Sequence, residues 1–277
     1  SNMLLLVEAG RRLLAAEKDA QKTVNGTRAR AKLERQLKGI FSAQGRITVK
    51  NFVQLRSKFV EAEITDDEVN RLFKEADLAT LEVFINALQQ MALSGLIEGA
   101  QSIIAELGID QTFSLDNPRA VQYMREHGAE MVTRINQTTK DNMQTLLTTA
   151  IENGWSYDQT ALAIGRQFKG YYDPTSEWNW QAPRPQGHVD SRAHLIAITE
   201  YGNAYETGNA IPPGDLAKAG LTVKKYWSTI GDDRVSEGCA QNEAVGWIAF
   251  ADAFPSGDQH PLRFPGCRCL CQYDVVT

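Results

Sequence analysis

Between Leu33 and Ile151 the apolar residues return with the period of helices. Leu33, Leu37, Ile40 and Phe41 fall at i, i+4, i+7 and i+8, drawing one stripe along a helix. Gly45 interrupts that pattern, and Phe52, Leu55 and Phe59 mark a second, shorter helix. Thr65 with Glu68 three residues on has the signature of a capping box. Val69, Leu72, Phe73 and Ala76 carry the helix onward, with Phe84, Ile85 and Leu88 on later turns. Ile103, Ile104 and Leu107 then lead to Gly108, a left-handed stop. In "FSLDNPRAV", Asn117 is placed as an N-cap and Pro118 as the first helical residue, where its missing N–H costs nothing. Met131, Ile135, Leu146, Leu147, Ala150 and Ile151 extend that helix to Gly154. Ser156 and Gln159 form another capping box, opening a short helix that ends near Gly170.

The period then breaks. "YYDPTSEWNWQAPRPQGH" is rich in Pro, Trp and Gly and reads as a loop or extended arm, followed by a helix from about Arg192 to Gly208. After "IPPGD" the spacing shortens, and "TVKKYWSTI", "VGWIAF" and "CRCLCQYDVV" predict three strands. The expected fold is α+β, mainly α: a helical body joined to a small β-rich C-terminal unit. The expected division is an N-terminal helical region over 3–110 and a second domain over 111–277, with helices in 117–210 and the β unit in 221–277.

Charge changes this picture at one place. The chain of 277 residues has a net charge of −5, yet between Arg11 and Lys58 thirteen Lys/Arg face only Glu17, Asp19 and Glu34. Such a block suits an acidic partner, nucleic acid or protein, and Arg28, Arg30, Lys32 and Arg35 are its candidate contacts. No apolar run approaches the ~20 residues that span a bilayer, so no membrane contact is expected. Ser1-Asn2 ahead of Met3 reads as a protease scar. Four cysteines in a chain of this length do not make a secreted disulfide scaffold, so the expectation is a soluble protein of intracellular origin.

The candidate chemistry is concentrated in sulfur. Cys267, Cys269 and Cys271 alternate, which on a strand would place all three thiols on one face. Three collinear thiolates cannot wrap one zinc, and only Cys239 and His260 stand out as additional donors. A bound metal, a disulfide from Cys239 and reduced packing thiols all remain open at this point. The four histidines show no ligand spacing, and no GxSxG, P-loop or GxGxxG occurs. Glu200 lies on a predicted helix, where a salt bridge explains it better than acid–base work. The expectation is a protein that binds rather than catalyses. The alternative is a metal-dependent hydrolase or nuclease, or a toxin-like enzyme, using the cysteine cluster.

Three ordered stretches carry a resemblance: "SRAHLIAITEYGNAYETGNA", "KKYWSTIGDDRVSEGCAQNEAVGWI" and "FPSGDQHPLRFPGCRC". Together with "FSLDNPRAV" and "IENGWSYDQTALAIGRQF", they make the region from about Phe113 to Tyr273 similar to the phage Mu protein F-like head-morphogenesis family. The resemblance implies a minor head protein of a tailed phage or prophage. Such a protein sits inside the capsid of the virion after assembly in the bacterial cytoplasm. Its implied partners are the portal or major capsid protein, with packaged DNA as a further contact. The resemblance also implies a metal knuckle, of which Cys239, Cys267 and Cys269 remain. Ser236 stands in place of one cysteine and Phe264 in place of the histidine, so no cofactor is expected unless zinc binds the residual thiols. The Arg of the family's Arg-Thr-Glu motif is Ile198. Asp233, Arg234 and Arg268 are the implied structural residues, with Arg268 expected to pair with Asp232 or Asp233.

Overall fold

The computed structural model describes residues 26–55, 65–167 and 192–276. The expected arm at 171–188, the residues before Gly26, and Arg56, Lys58 and Phe59 lie outside the described residues. The elements in chain order are α1 (Thr27–Val53), α2 (Asp66–Glu106), α3 (Pro118–Glu152), α4 (Tyr157–Gln167), α5 (Arg192–Lys218), β1 (Thr222–Ser228), α6 (Glu237–Ala244), β2 (Ile248–Ala249) and β3 (Leu270–Val276). The fold is mainly helical with one small antiparallel sheet near the C-terminus, as the spacing predicts.

Helix ends follow the predicted caps. At Ser156 the box is reciprocal: the Gln159 N–H donates to Ser156 Oγ (3.2 Å), and the Ser156 N–H to Gln159 Oε1 (2.8 Å). The Arg119 N–H donates to Asn117 Oδ1 at 2.9 Å, so Asn117 caps α3 with Pro118 as its first residue. Gly108 has φ +63°, and Ile109 N–H to Ile104 carbonyl with Gly108 N–H to Ala105 carbonyl makes a complete Schellman closure.

Two expected breaks do not occur. Gly45 does not end α1, which runs unbroken for 27 residues, because Gly45 lies on the buried side among Phe41, Gln44 and Thr48. Tertiary burial there outweighs glycine's helix penalty of about 1 kcal/mol. Likewise α5 does not stop at Gly208 but continues through Pro212 and Pro213 to Lys218. The Arg119 guanidinium reaches the carbonyls of Ile211 and Gly214 at 3.5 Å on either side of the two prolines.

The chain forms two compact units. One comprises Lys32–Gln89 and Glu126–His194. Its core includes Leu37, Phe41, Phe73, Phe84, Leu146 and Ile164, with Phe41 and Phe84 edge-to-face at 5.9 Å and Phe52 stacked on Tyr157 at 5.1 Å. The other comprises Gln90–Arg125 and Leu195–Thr277, together with the stretch up to Ala31.

In this second unit α2 and α5 cross at near backbone contact. A Cβ placed on Gly99 would stand 2.0 Å from the Tyr205 carbonyl oxygen, and one on Gly208 would stand 2.2 Å from that of Leu96. Glycine is required because the obstacle is main chain, which cannot rotate away. Substituting Gly99 or Gly208 with Ala is expected to cost about 1–3 kcal/mol, the overpacking range, and to lower the denaturant midpoint. Gly39→Ala is expected to stabilise by about 0.5–1 kcal/mol, because no atom lies within 4 Å of the added methyl and a helical glycine is lost.

The sheet order is β2-β1-β3. Lys225 pairs with Tyr273 and Trp227 with Cys271 across β1 and β3. Trp227 is fully buried and meets Phe254 edge-to-face at 5.1 Å. The third predicted strand is shorter than expected, since β3 begins only at Leu270. Gly266 has φ +78° and the Cys267 N–H closes a turn on the Phe264 carbonyl at 3.0 Å, so Cys267 is in a turn and not on a strand. The three alternating cysteines therefore do not share a strand face, and Cys271 alone is on β3.

Candidate functional site

The turn that displaces Cys267 from the strand brings it to Cys239. Ser236 is the N-cap of α6, with φ −70° and ψ 151°, and its Oγ accepts the Cys239 N–H at 3.3 Å. That cap fixes the first turn of α6 and directs Cys239 inward. The sulfurs of Cys239 and Cys267 are 4.0 Å apart, and the Sγ atoms of Cys239, Cys267 and Cys269 all lie within 4.8 Å of one another. All four cysteines are free and buried. Cys271 stands outside this trio.

The trio shares protons. The hydrogen bond from Cys239, with another from Cys269, draws Cys267 well below the ordinary thiol range. The same sharing with Cys267 raises Cys239, and hydrogen bonds to Cys239 and then Cys267 raise Cys269.

Helix α5 and strand β1 position the surroundings. Thr199 Oγ1 accepts the Gly266 N–H at 3.0 Å, tying the turn before Cys267 to the helix. About two and three helical turns further along the same side, Glu206 accepts the Cys271 N–H at 3.0 Å and Asn209 donates to the Cys271 carbonyl at 2.9 Å. On β1, Lys225 is 2% exposed, and its Nζ donates to Gln259 O (2.9 Å) and Oε1 (2.7 Å) between the rings of Phe250 and Phe254. Burial pushes its pKa down. Residue-type reasoning missed Thr199, Glu206, Asn209 and Lys225. The signal for the first three was available as polar residues recurring at i, i+7 and i+10 along the side of the helix that also holds Tyr205 and other buried residues.

Outside the cluster, the Arg268 Nη2 donates to both oxygens of Asp232 at 2.7 and 2.6 Å. Asp232 also accepts the Arg234 N–H at 3.1 Å, which shapes the Asp-Asp-Arg turn. The Arg268 partner is thus Asp232, while the side chains of Asp233 and Arg234 are exposed. The guanidinium beside Asp232 holds its carboxyl below the usual range. Of the candidate partner contacts on α1, Arg28, Lys32 and Arg35 are exposed, and Arg30 lies over the Tyr201 ring at 5.6 Å.

A helix capped by Ser236, an Asp-Asp-Arg turn and a Cys-Arg-Cys turn thus close on one another in the order that the sequence resemblance requires. Residues 141–272 match the family model described as phage Mu protein F like protein. This part of the chain is similar to that family. No curated protein and no solved structure matches the chain.

The Mu F-like resemblance implies a metal knuckle, and the donor set decides whether one fits. Three thiols converge, but no fourth His, Cys, Asp or Glu joins them among the described residues. The Ser236 hydroxyl is engaged as the α6 cap, and Phe264 offers no donor. His260 turns its Nδ1 to the Pro261 carbonyl. A closed structural zinc site takes four protein ligands, so these residues do not complete one.

Two outcomes follow. Protein purified without chelator is expected to carry zinc well below one equivalent by atomic emission, and excess chelator is expected to leave its melting midpoint unchanged. Arg268→Ala is expected to cost no more than about 1 kcal/mol, the range of a partly exposed pair. Because the folded carboxyl of Asp232 titrates below its unfolded value, that contribution is present above about pH 4 and is lost as pH falls through the lowered pKa. The gap between wild-type and variant midpoints is therefore expected to close on acidification. A gap that persists at about pH 2 would contradict the pairing.

Proposed function

We infer that the protein is a minor head component of a tailed phage or prophage, residing in the virion and acting in head morphogenesis or DNA delivery through contacts with portal or major capsid protein. The observation that carries this reading is the Mu F-like match over 141–272, reinforced by what surrounds the cysteines. A nucleophilic or metal-activating thiol needs access to its substrate, whereas all four thiols here are buried. The conspicuous polar side chains of the C-terminal unit (Thr199, Glu206, Asn209 and Lys225) are spent on backbone groups of the fold. Such a unit is built to hold a shape that another protein recognises. Packing, hydrogen bonds and the Asp232–Arg268 pair do the fixing that a metal would do in a complete knuckle.

The test is assembly. Co-expression with the portal and major capsid proteins encoded by the same phage or prophage, followed by gradient sedimentation, is expected to bring the chain down with head particles in substoichiometric amount relative to the capsid protein. Normal particles that consistently lack it would overturn the assignment.

A further inference from the structure

Helix α1 carries seven Lys/Arg and a single carboxylate, Glu34. At 100° per residue, Arg28, Lys32, Arg35, Arg46 and Lys50 fall within an arc of about 60°. The buried residues of the same helix, Leu33, Leu37, Ile40, Phe41, Gln44 and Phe52 among them, centre on the opposite side. Each of the five cations is exposed. Between them the same arc holds Gly39, whose surroundings are open to at least 4 Å, flanked by the short side chains of Ser42 and Ala43. Glu34 lies off this arc, paired with Lys38 and with His194.

A merely solvated helix face intersperses its signs, because opposite charges at i, i+4 favour the helix and like charges oppose it by a few tenths of a kcal/mol. Here Arg28 and Lys32, and Arg46 and Lys50, are like-charged neighbours at i, i+4, and Lys32 and Arg35 at i, i+3. Like charges so placed repel one another along the helix, and an anion lying along the stripe would relieve that repulsion. From Arg28 to Lys50 it runs about 33 Å, close to one turn of duplex DNA at about 34 Å. It holds no aromatic residue on which single-stranded bases would stack, since Phe41 and Phe52 are buried. Between Arg28 and Lys50 it holds no exposed large apolar side chain of the kind that anchors a protein partner, and Val53 just beyond Lys50 is too little to make an apolar face for a bilayer.

We propose that this stripe binds the phosphate backbone of double-stranded DNA without reading its sequence. The proposal rests on the head-protein reading only for where DNA is met. Binding naked duplex is a property of the purified chain, so a failed titration and a failed co-sedimentation are separate results.

The experiment is fluorescence anisotropy of a labelled duplex of about one hundred base pairs or fewer and arbitrary sequence, titrated at several salt concentrations. Wild-type protein is compared with the quadruple variant Lys32→Gln, Arg35→Gln, Arg46→Gln and Lys50→Gln. A control variant, Arg11→Gln, Arg12→Gln, Lys18→Gln and Lys22→Gln, removes the same number of cations elsewhere. With about 0.9 counterions released per neutralised phosphate, the stripe variant is expected to flatten the slope of log K against log salt by about 3 to 4. The control is expected to flatten it less. The melting midpoint of the stripe variant is compared with wild type to establish that it folds. Should that variant fold poorly, Arg46→Gln with Lys50→Gln alone is expected to remove about half the slope change. Equal slopes for wild type and stripe variant, no binding by wild type at low salt, or binding of poly-glutamate but not of duplex would each overturn the proposal.

Discussion

The backbone of Cys271 is held on both sides. Strand β1 flanks it through the pairing of Trp227 with Cys271, and α5 flanks its other edge through Glu206 and Asn209. An outer sheet strand ordinarily leaves its N–H and C=O groups to water, and burying them unpaired would cost a few kcal/mol. Two side chains of one helix remove that cost at a single residue and so dock helix to sheet in one register. The Thr199 contact to Gly266 extends the same grip to the turn before Cys267. Without it, Cys267 and Cys269 have no reason to meet Cys239.

The grip works only because α5 is itself fixed. Gly99 and Gly208 let α2 and α5 approach until main chain meets main chain, and Tyr201 donates to Glu98 at 2.7 Å beside that crossing. Position therefore passes from a helix crossing to a strand edge, from the edge to a turn, and from the turn to three sulfurs. The Mu F-like region in this chain keeps its shape through that sequence of contacts, with Ser236 serving as a helix cap and Phe264 packing against the core cluster around the thiols.

Much of this was legible in the residues, and the failures have a common cause. Local rules held wherever the signal was local: the caps at Asn117 and Ser156, the return of Glu68 to the Thr65 N–H, the left-handed stop at Gly108, the helix end near Gly154, and the strand beginning at Thr222. They failed where distant packing outvoted them. Gly45 and Gly208 each looked like an interruption, but both lie where helices pack closely, and the helices run on through them. Alternation at Cys267, Cys269 and Cys271 suggested one face of a strand, until the glycine before them took a positive φ and split the set. Lys225 was invisible because a lysine in a strand reads as solvent-facing, and nothing in its neighbours announces Gln259 as its acceptor.

That lysine couples two events that would otherwise be separate. Its ammonium must shed water before Phe250, Phe254 and Gln259 can close over it, and the carbonyl of Gln259 finds its donor only once they have. The excursion that carries the Pro-Ser-Gly-Asp turn thus cannot settle on the sheet by degrees. Either it lies down with the charge sealed beneath it or it stays away with the charge hydrated.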